Sequence, residues 1–197
     1  MSLSEILIKH QEESKKDNPW IGSKYEFIKN AGTDATGKIG EEFIYELLKK
    51  TFQNIDIIWE QDKNTNQNDG IYDIKMVSNI LSFFSRIEIK TATLGKSESY
   101  QHEKLLGKKY CDKILFLDIN PNSYYITILD VNEIDFDGLE KGVLGKKLTI
   151  RTTGNQTKLD FSKKSIEIGL KLGKTIYIEN ENENKEEIIN FLKKNLL

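Results

Sequence analysis

Apolar residues recur at helical spacing over 38–52, where Ile39, Phe43, Ile44, Leu47 and Leu48 form one stripe. This predicts the longest helix, with Thr36 as its N-cap, Asn54 as its stop, and a loop over 31–37. Upstream, Leu3, Ile6 and Leu7 begin a short amphipathic helix over 3–16, halted by Asp17, Asn18 and Pro19. A second short helix is expected near 22–30. Downstream the apolar runs shorten and read as strands: 55–60, 71–77, 82–92, 113–119 and 123–131. The polar stretch 61–70 is a loop, a turn falls near Ser78 and Asn79, and Asn120–Ser123 closes a hairpin. Residues 99–109 read as a helix. Past 132 the pattern weakens: strands are expected at 146–151, 157–162 and 174–179. An acidic, solvated bridge then leads to a terminal helix over 185–196 with Ile188, Ile189 and Leu192 on one face. The order helix, three strands, helix, two strands predicts an α/β domain, a central mixed sheet flanked by helices.

Composition changes this picture little. A chain of 197 residues, 38% hydrophobic and 30% charged, is enough for one globular domain with its own core. That domain is read as 1–197, with a core near 35–130, N-terminal helices over 1–34 and an extension over 131–197. The net charge of −2 gives no global basic signature, which counts against a nucleic-acid binder without excluding a local basic groove. Lysines do cluster locally, in 107–113 and 142–151. The single cysteine, Cys111, excludes an intrachain disulfide and a thiolate zinc site, and fits a reducing cytosol. No stretch reads as a membrane span or a signal peptide, so a cytoplasmic protein without a membrane partner is expected.

The chemistry gathers in two neighbouring strands. Side chains alternate along a strand, so Glu88 and Lys90 share one face while Ile87 and Ile89 take the other. Asp73 stands in the preceding strand among Ile71, Tyr72 and Ile74, where an unpaired buried acid is costly. If the strands pair, two carboxylates and an ammonium converge, a set suited to a hard divalent cation and to phosphodiester hydrolysis. The plainer alternative is a cross-strand charge pair. Asp69, in Asn68-Asp69-Gly70, reads as a turn former.

An acid in one strand, then an acid, any residue and a lysine in the next, resembles the PD-(D/E)xK nuclease superfamily, the restriction endonuclease-like group. Asp73, Glu88 and Lys90 stand at its positions; Tyr72 replaces the proline that often precedes the first acid. The resemblance spans about 35–130. It implies a Mg²⁺ cofactor, with Mn²⁺ as substitute, held by Asp73, Glu88, the Ile89 carbonyl and Glu41, the acid after Gly40 on the first core helix. Glu42, about 100° further round that helix, is the competing choice. It implies that Lys90 activates water and offsets transition-state charge, and that Gln101 on the following helix contacts water or the scissile phosphate. His102, Thr93, Lys104 and Lys108 are the expected nucleic-acid contacts; Lys96 and Lys109 could line the same groove. Thr91 lies on the face away from Lys90. Arg151, Asn155 and Gln156 suit a base-reading loop or an ordinary surface turn.

The resulting expectation is a Mg²⁺-dependent DNA endonuclease of restriction type, acting on double-stranded DNA as a homodimer because two-fold sites are usually cut by two-fold proteins. A repair, phage or junction nuclease on the same fold is one alternative. A non-catalytic nucleic-acid-binding protein is another, and an unrelated α/β domain with a coincidental triplet is the last.

Overall fold

The computed structural model describes residues 18–59, 72–103, 105, 110–134, 148–153 and 156–197. The expected helix over 3–16 and loop over 61–70 lie outside these residues, as do Asp69, Lys104, Lys108, Lys109 and Asn155. The backbone of the strand carrying Arg151 and that of Gln156 are described, but not their side chains.

After a single turn of helix, α1 (Glu26–Lys29), the long helix α2 runs Thr33–Thr51. It starts earlier than the apolar stripe suggests. Gly32, not Thr36, is the N-cap, and the Thr36 hydroxyl donates to the Gly32 carbonyl at 2.9 Å from inside the first turn. A threonine that bonds back to a carbonyl within the helix is satisfied there and need not cap it.

Strands β1 (Asp56–Trp59), β2 (Ile74–Ser78), β3 (Phe83–Thr93), β4 (Ser99–Glu103), β5 (Lys113–Ile119) and β6 (Tyr124–Asp130) follow. A short 3-10 turn at Val131–Glu133 closes this part, held by a reciprocal cap between Asp130 and Glu133. Then come β7 (Leu148–Thr153), β8 (Gln156–Ser162), α3 (Lys163–Leu172), β9 (Thr175–Ile178) and α4 (Lys185–Leu196). One sheet has six strands in the order β1-β2-β3-β5-β6-β9; a second has three in the order β4-β8-β7. Only the β3–β5 pairing is parallel, so the main sheet is mixed.

The helix expected over 99–109 is overturned where the chain is described. Ser99–Glu103 is a strand, and it pairs antiparallel with β8, Gln101 opposite Asp160 and His102 opposite Leu159. Its side chains alternate buried and exposed, Tyr100 and His102 inward and Gln101 and Glu103 outward, a period of two that a longer helical window obscures. The pattern assigns nothing to 163–172, yet α3 stands there. Its start is capped by the Ser162 hydroxyl, which accepts from Ser165 N–H at 3.2 Å, and it ends at Gly173 in the left-handed region, φ 66°.

Two cores result, one on each face of the main sheet. Ile87, Ile89, Leu115, Leu117, Ile126 and Ile178 pack against Ile44 and Leu48 of α2 and Ile188 and Leu192 of α4. On the opposite face, Ile114, Phe116 and Leu129 meet Leu159 and Phe161 of the second sheet and Ile166 of α3. The main sheet is therefore the middle layer, with α2 and α4 on one side and the small sheet with α3 on the other. Among the described residues, no helix is long and apolar enough to cross a membrane.

Candidate functional site

The β2–β3 ladder breaks register where the chemistry lies. Ile74 is the registered partner of Ile87, yet Asp73 N–H also donates to the Ile87 carbonyl, at 3.0 Å. Two residues of one strand thus oppose one residue of the other, as in a β-bulge, a device that re-aims a side chain. The Asp73 carboxylate turns onto the edge of β3, where its Oδ2 accepts from Ile89 N–H at 2.6 Å. β2 begins only at Ile74, so beyond Ile89 the β2-facing edge of β3 has no partner from that strand. The N–H and C=O of one antiparallel residue point the same way. The Ile89 carbonyl is therefore turned to the edge that the Asp73 carboxylate occupies.

Glu88 and Lys90 leave β3 on the face toward the small sheet. The Lys90 ammonium lies 2.6 Å from Glu88 Oε1, with the Glu88 side chain 3% exposed and that of Lys90 22% exposed. The Cys111 thiol points at Glu88 Oε2, 3.8 Å away. Burial first, and the Glu88 charge second, push that thiol up to about 12, so Cys111 stays protonated at neutral pH. Burial also pushes the Asp73 carboxyl up; the Ile89 N–H and the Lys90 ammonium offset this only in part. Lys90 is thus paired with Glu88 and also favours the charge of Asp73.

The donor set suits a hard divalent cation: carboxylate oxygens of Asp73 and Glu88 and a carbonyl on the same strand edge as Asp73. The incompletely compensated charge of half-buried Asp73 adds a reason for a cation there. Among the described residues, no group of three or more His, Cys, Asp and Glu side chains converges. Protein side chains would then supply two ligands, within the one or two carboxylates usual for Mg²⁺.

Helix α2 lies on the other face of β3. A Cβ on Gly40 would come within 1.8 Å of Thr91 Oγ1, so only glycine lets the helix sit this close to the strand. This seats the Gly40-Glu41 turn beside the residue after Lys90. Glu41 is half-buried there and engaged in an interaction of its own, and Glu42 is exposed.

Gln101 borders a groove of about 520 Å³ that it shares with Thr91 and Thr93, although it does so from a strand rather than a helix. Thr93 Oγ1 accepts from the Lys29 ammonium at 3.2 Å. His102 faces the interior. It is 2% exposed, its Nε2 lies 2.8 Å from Oδ1 of Asp118, and its ring meets Phe116 and Phe161 edge-on between the two sheets. The expectation that it contacts nucleic acid is overturned by this burial: a strand alternation that exposes Gln101 must bury its neighbour. Lys104 and Lys108 lie outside the described residues.

No family model matches the chain, and no curated protein does. A solved structure of a bacterial homing endonuclease, I-Ssp6803I, is similar over 67% of this chain and 76% of that chain, at 10% identity and a TM-score of 0.36. That is a likeness too slight to carry any conclusion about this chain.

Two further features escape a reading of the sequence. Arg86, on the same face as Glu88 and Lys90, holds Asp112 through Nε at 3.1 Å and Nη2 at 2.9 Å, and Asp112 also accepts from Arg86 N–H at 2.8 Å. Lys29 reaches the end of β3 from 65 residues away, donating to the Leu94 carbonyl at 2.7 Å. The alternation Arg86, Glu88, Lys90 was a usable signal for the first. Nothing local marks the second, because its partners are distant in the chain.

Proposed function

We propose that this chain is a metal-dependent deoxyribonuclease with a restriction endonuclease-like core that hydrolyses phosphodiester bonds in double-stranded DNA. The supporting observation is the cluster itself: a nearly inaccessible Glu88 in contact with Lys90, on a strand whose bulged edge holds Asp73. Burying such charges costs more than burying apolar residues of similar size, so a purely structural role explains them poorly. Asp73, Glu88 and the Ile89 carbonyl would hold Mg²⁺ or Mn²⁺, and Glu41 of α2 would join them through water. Such a cation supplies Lewis-acid polarisation of the phosphate and acidifies water at neutral pH. Lys90 places its ammonium beside this set, orienting water for in-line attack and offsetting the charge that grows on the phosphoryl oxygens. Gln101, from the exposed side of β4, would hydrogen-bond the same phosphate or its water. A restriction-type role and a homodimer acting on two-fold DNA sites complete the reading.

Cleavage of supercoiled plasmid with Mg²⁺, with Mn²⁺ and with EDTA, by wild type and Lys90→Ala, tests it. Discrete bands that need metal and fall by about 10²-fold or more in the variant are the expected outcome. Metal-dependent smearing lost in the variant keeps the nuclease and removes the restriction role. Absence of cleavage by wild type under every condition, or cleavage indifferent to Lys90, overturns the proposal.

A further inference from the structure

The groove bordered by Gln101 runs between the start of α2 and the β3–β4 turn, immediately past Lys90 along β3. Among the described residues its lining contains two lysines, Lys29 and Lys96, six hydroxyl-bearing side chains and no carboxylate. In a chain with 31 acidic residues and a net charge of −2, a groove of about 520 Å³ whose described lining is without acids is a distinct local environment. The contrast with the neighbouring cavity of about 340 Å³, on the other side of Leu94, is direct: there Lys163 is accompanied by Glu98 and Glu167.

Lys29 is built into the groove wall. Its ammonium donates to the Leu94 carbonyl at 2.7 Å and to Thr93 Oγ1 at 3.2 Å, and lies 5.2 Å from the centre of the Trp20 ring. These partners are all neutral. Among the described residues neither Lys29 nor Lys96 has an acidic partner. An ammonium has three protons, so two bonds to neutral oxygens leave one donor and the full charge for an anion. Partial burial lowers the Lys29 pKa, as expected for a cation with no compensating charge.

We infer that this groove carries the sugar–phosphate backbone of the bound nucleic acid on one side of the scissile phosphate, with Lys29 and Lys96 each contacting a backbone phosphate. The inference rests on the nuclease reading for its ligand. Thr93 is three residues beyond Lys90, about 10 Å along an extended strand, which is within about three base steps of a duplex. The hydroxyls of Thr33, Thr93 and Ser97 suit phosphate oxygens, which position a nucleic acid without reading its sequence.

The test is equilibrium binding of labelled oligonucleotides by anisotropy across a salt series, with Ca²⁺ in place of Mg²⁺. The proteins are wild type, Lys29→Gln, Lys96→Gln, the double variant, and Lys171→Gln as an exposed lysine outside the groove. Each lost phosphate contact should lower the slope of log K against log salt by about 0.9 on duplex DNA or about 0.7 on a single strand. The expected result is a stepwise fall for the groove variants, unrelated to oligonucleotide sequence, with Lys171→Gln unchanged. Duplex DNA, single-stranded DNA and duplex RNA probes identify which backbone is held. Thermal melting shows that each variant is folded, and should Lys29→Gln prove unstable, Lys96→Gln alone decides. Slopes unchanged in the folded groove variants, or an equal fall in Lys171→Gln, overturn the inference. So does failure of wild type to bind any of the three probes. The nuclease reading is judged separately by plasmid cleavage: slopes unchanged with cleavage intact remove the groove and leave the nuclease standing.

Discussion

The tightest constraint at the scale of single residues is the approach of Gly40 to Thr91. Any Cβ at position 40 enters the space of the Thr91 side chain, with Oγ1 at 1.8 Å and Cβ at 2.8 Å from it. Gly40→Ala is therefore expected to destabilise the fold by about 1–3 kcal/mol, the usual range for overpacking, despite the better helix propensity of alanine. Urea denaturation reads this directly, and a variant as stable as wild type would show that α2 can shift without cost. Arg86 and Asp112 yield a pH prediction. The Arg86 guanidinium, with its several hydrogen bonds to Asp112, holds that carboxyl below its ordinary value. A depressed carboxylate contributes stability above the unfolded-state pKa, about 3.9 for Asp, and loses it as pH falls through the folded value. The gap in urea midpoint between wild type and Asp112→Asn should thus be present at neutral pH and close below about pH 4. The pair is too exposed for a large effect, since the Asp112 side chain is 42% accessible. An unchanged gap down to the lowest pH would remove Arg86 as the cause.

Elements are joined here by buried polar contacts as well as by apolar packing. His102 of β4 and Asp118 of β5 link the small sheet to the main one at a point where neither side chain reaches solvent. Only one atom of each is paired: among the described residues, His102 Nδ1 and Asp118 Oδ2 have no hydrogen-bond partner. Burial pushes the Asp118 carboxyl up, and the histidine counters this incompletely. Removing the imidazole leaves the acid wholly unpaired in a dry layer. His102→Ala is expected to cost about 3–5 kcal/mol, the range for breaking a buried pair, with little sequence-independent change in the salt slope of nucleic-acid binding. Denaturation melts and the same salt series separate the two outcomes. A stable variant with weakened binding would restore His102 as a nucleic-acid contact. The same strand shows how an element is misjudged. The window 99–109 mixes apolar and polar residues at spacings that suit a helix, but the alternation Tyr100, His102 against Gln101, Glu103 is the pattern that β8 selects. α3 has the opposite history: its caps at Ser162 and Gly173 were in plain view, while Ile166 and Ile168 alternate like a strand.

Across the whole molecule, the candidate site lies where β2 ends and leaves part of β3 without that partner, and the lysine-lined groove follows along the same strand. The α2 stripe, the strand β3, the β5–β6 hairpin and the terminal helix α4 were all legible in the sequence because each is a local periodicity that one buried face imposes. So was the alternation that sends Glu88 and Lys90 to one face. Tertiary structure decided the rest. Asp73 lies 15 residues before Glu88 in the sequence, and only the slipped β2–β3 ladder turns its carboxylate onto Ile89. The pairing of β4 with β8 spans about sixty residues, and that pairing, not propensity, made 99–103 a strand and buried His102. Lys29 joined the end of β3 for the same reason. Periodicity reports which face of an element must leave water, whereas partners far apart in the chain are selected only when those faces pack together.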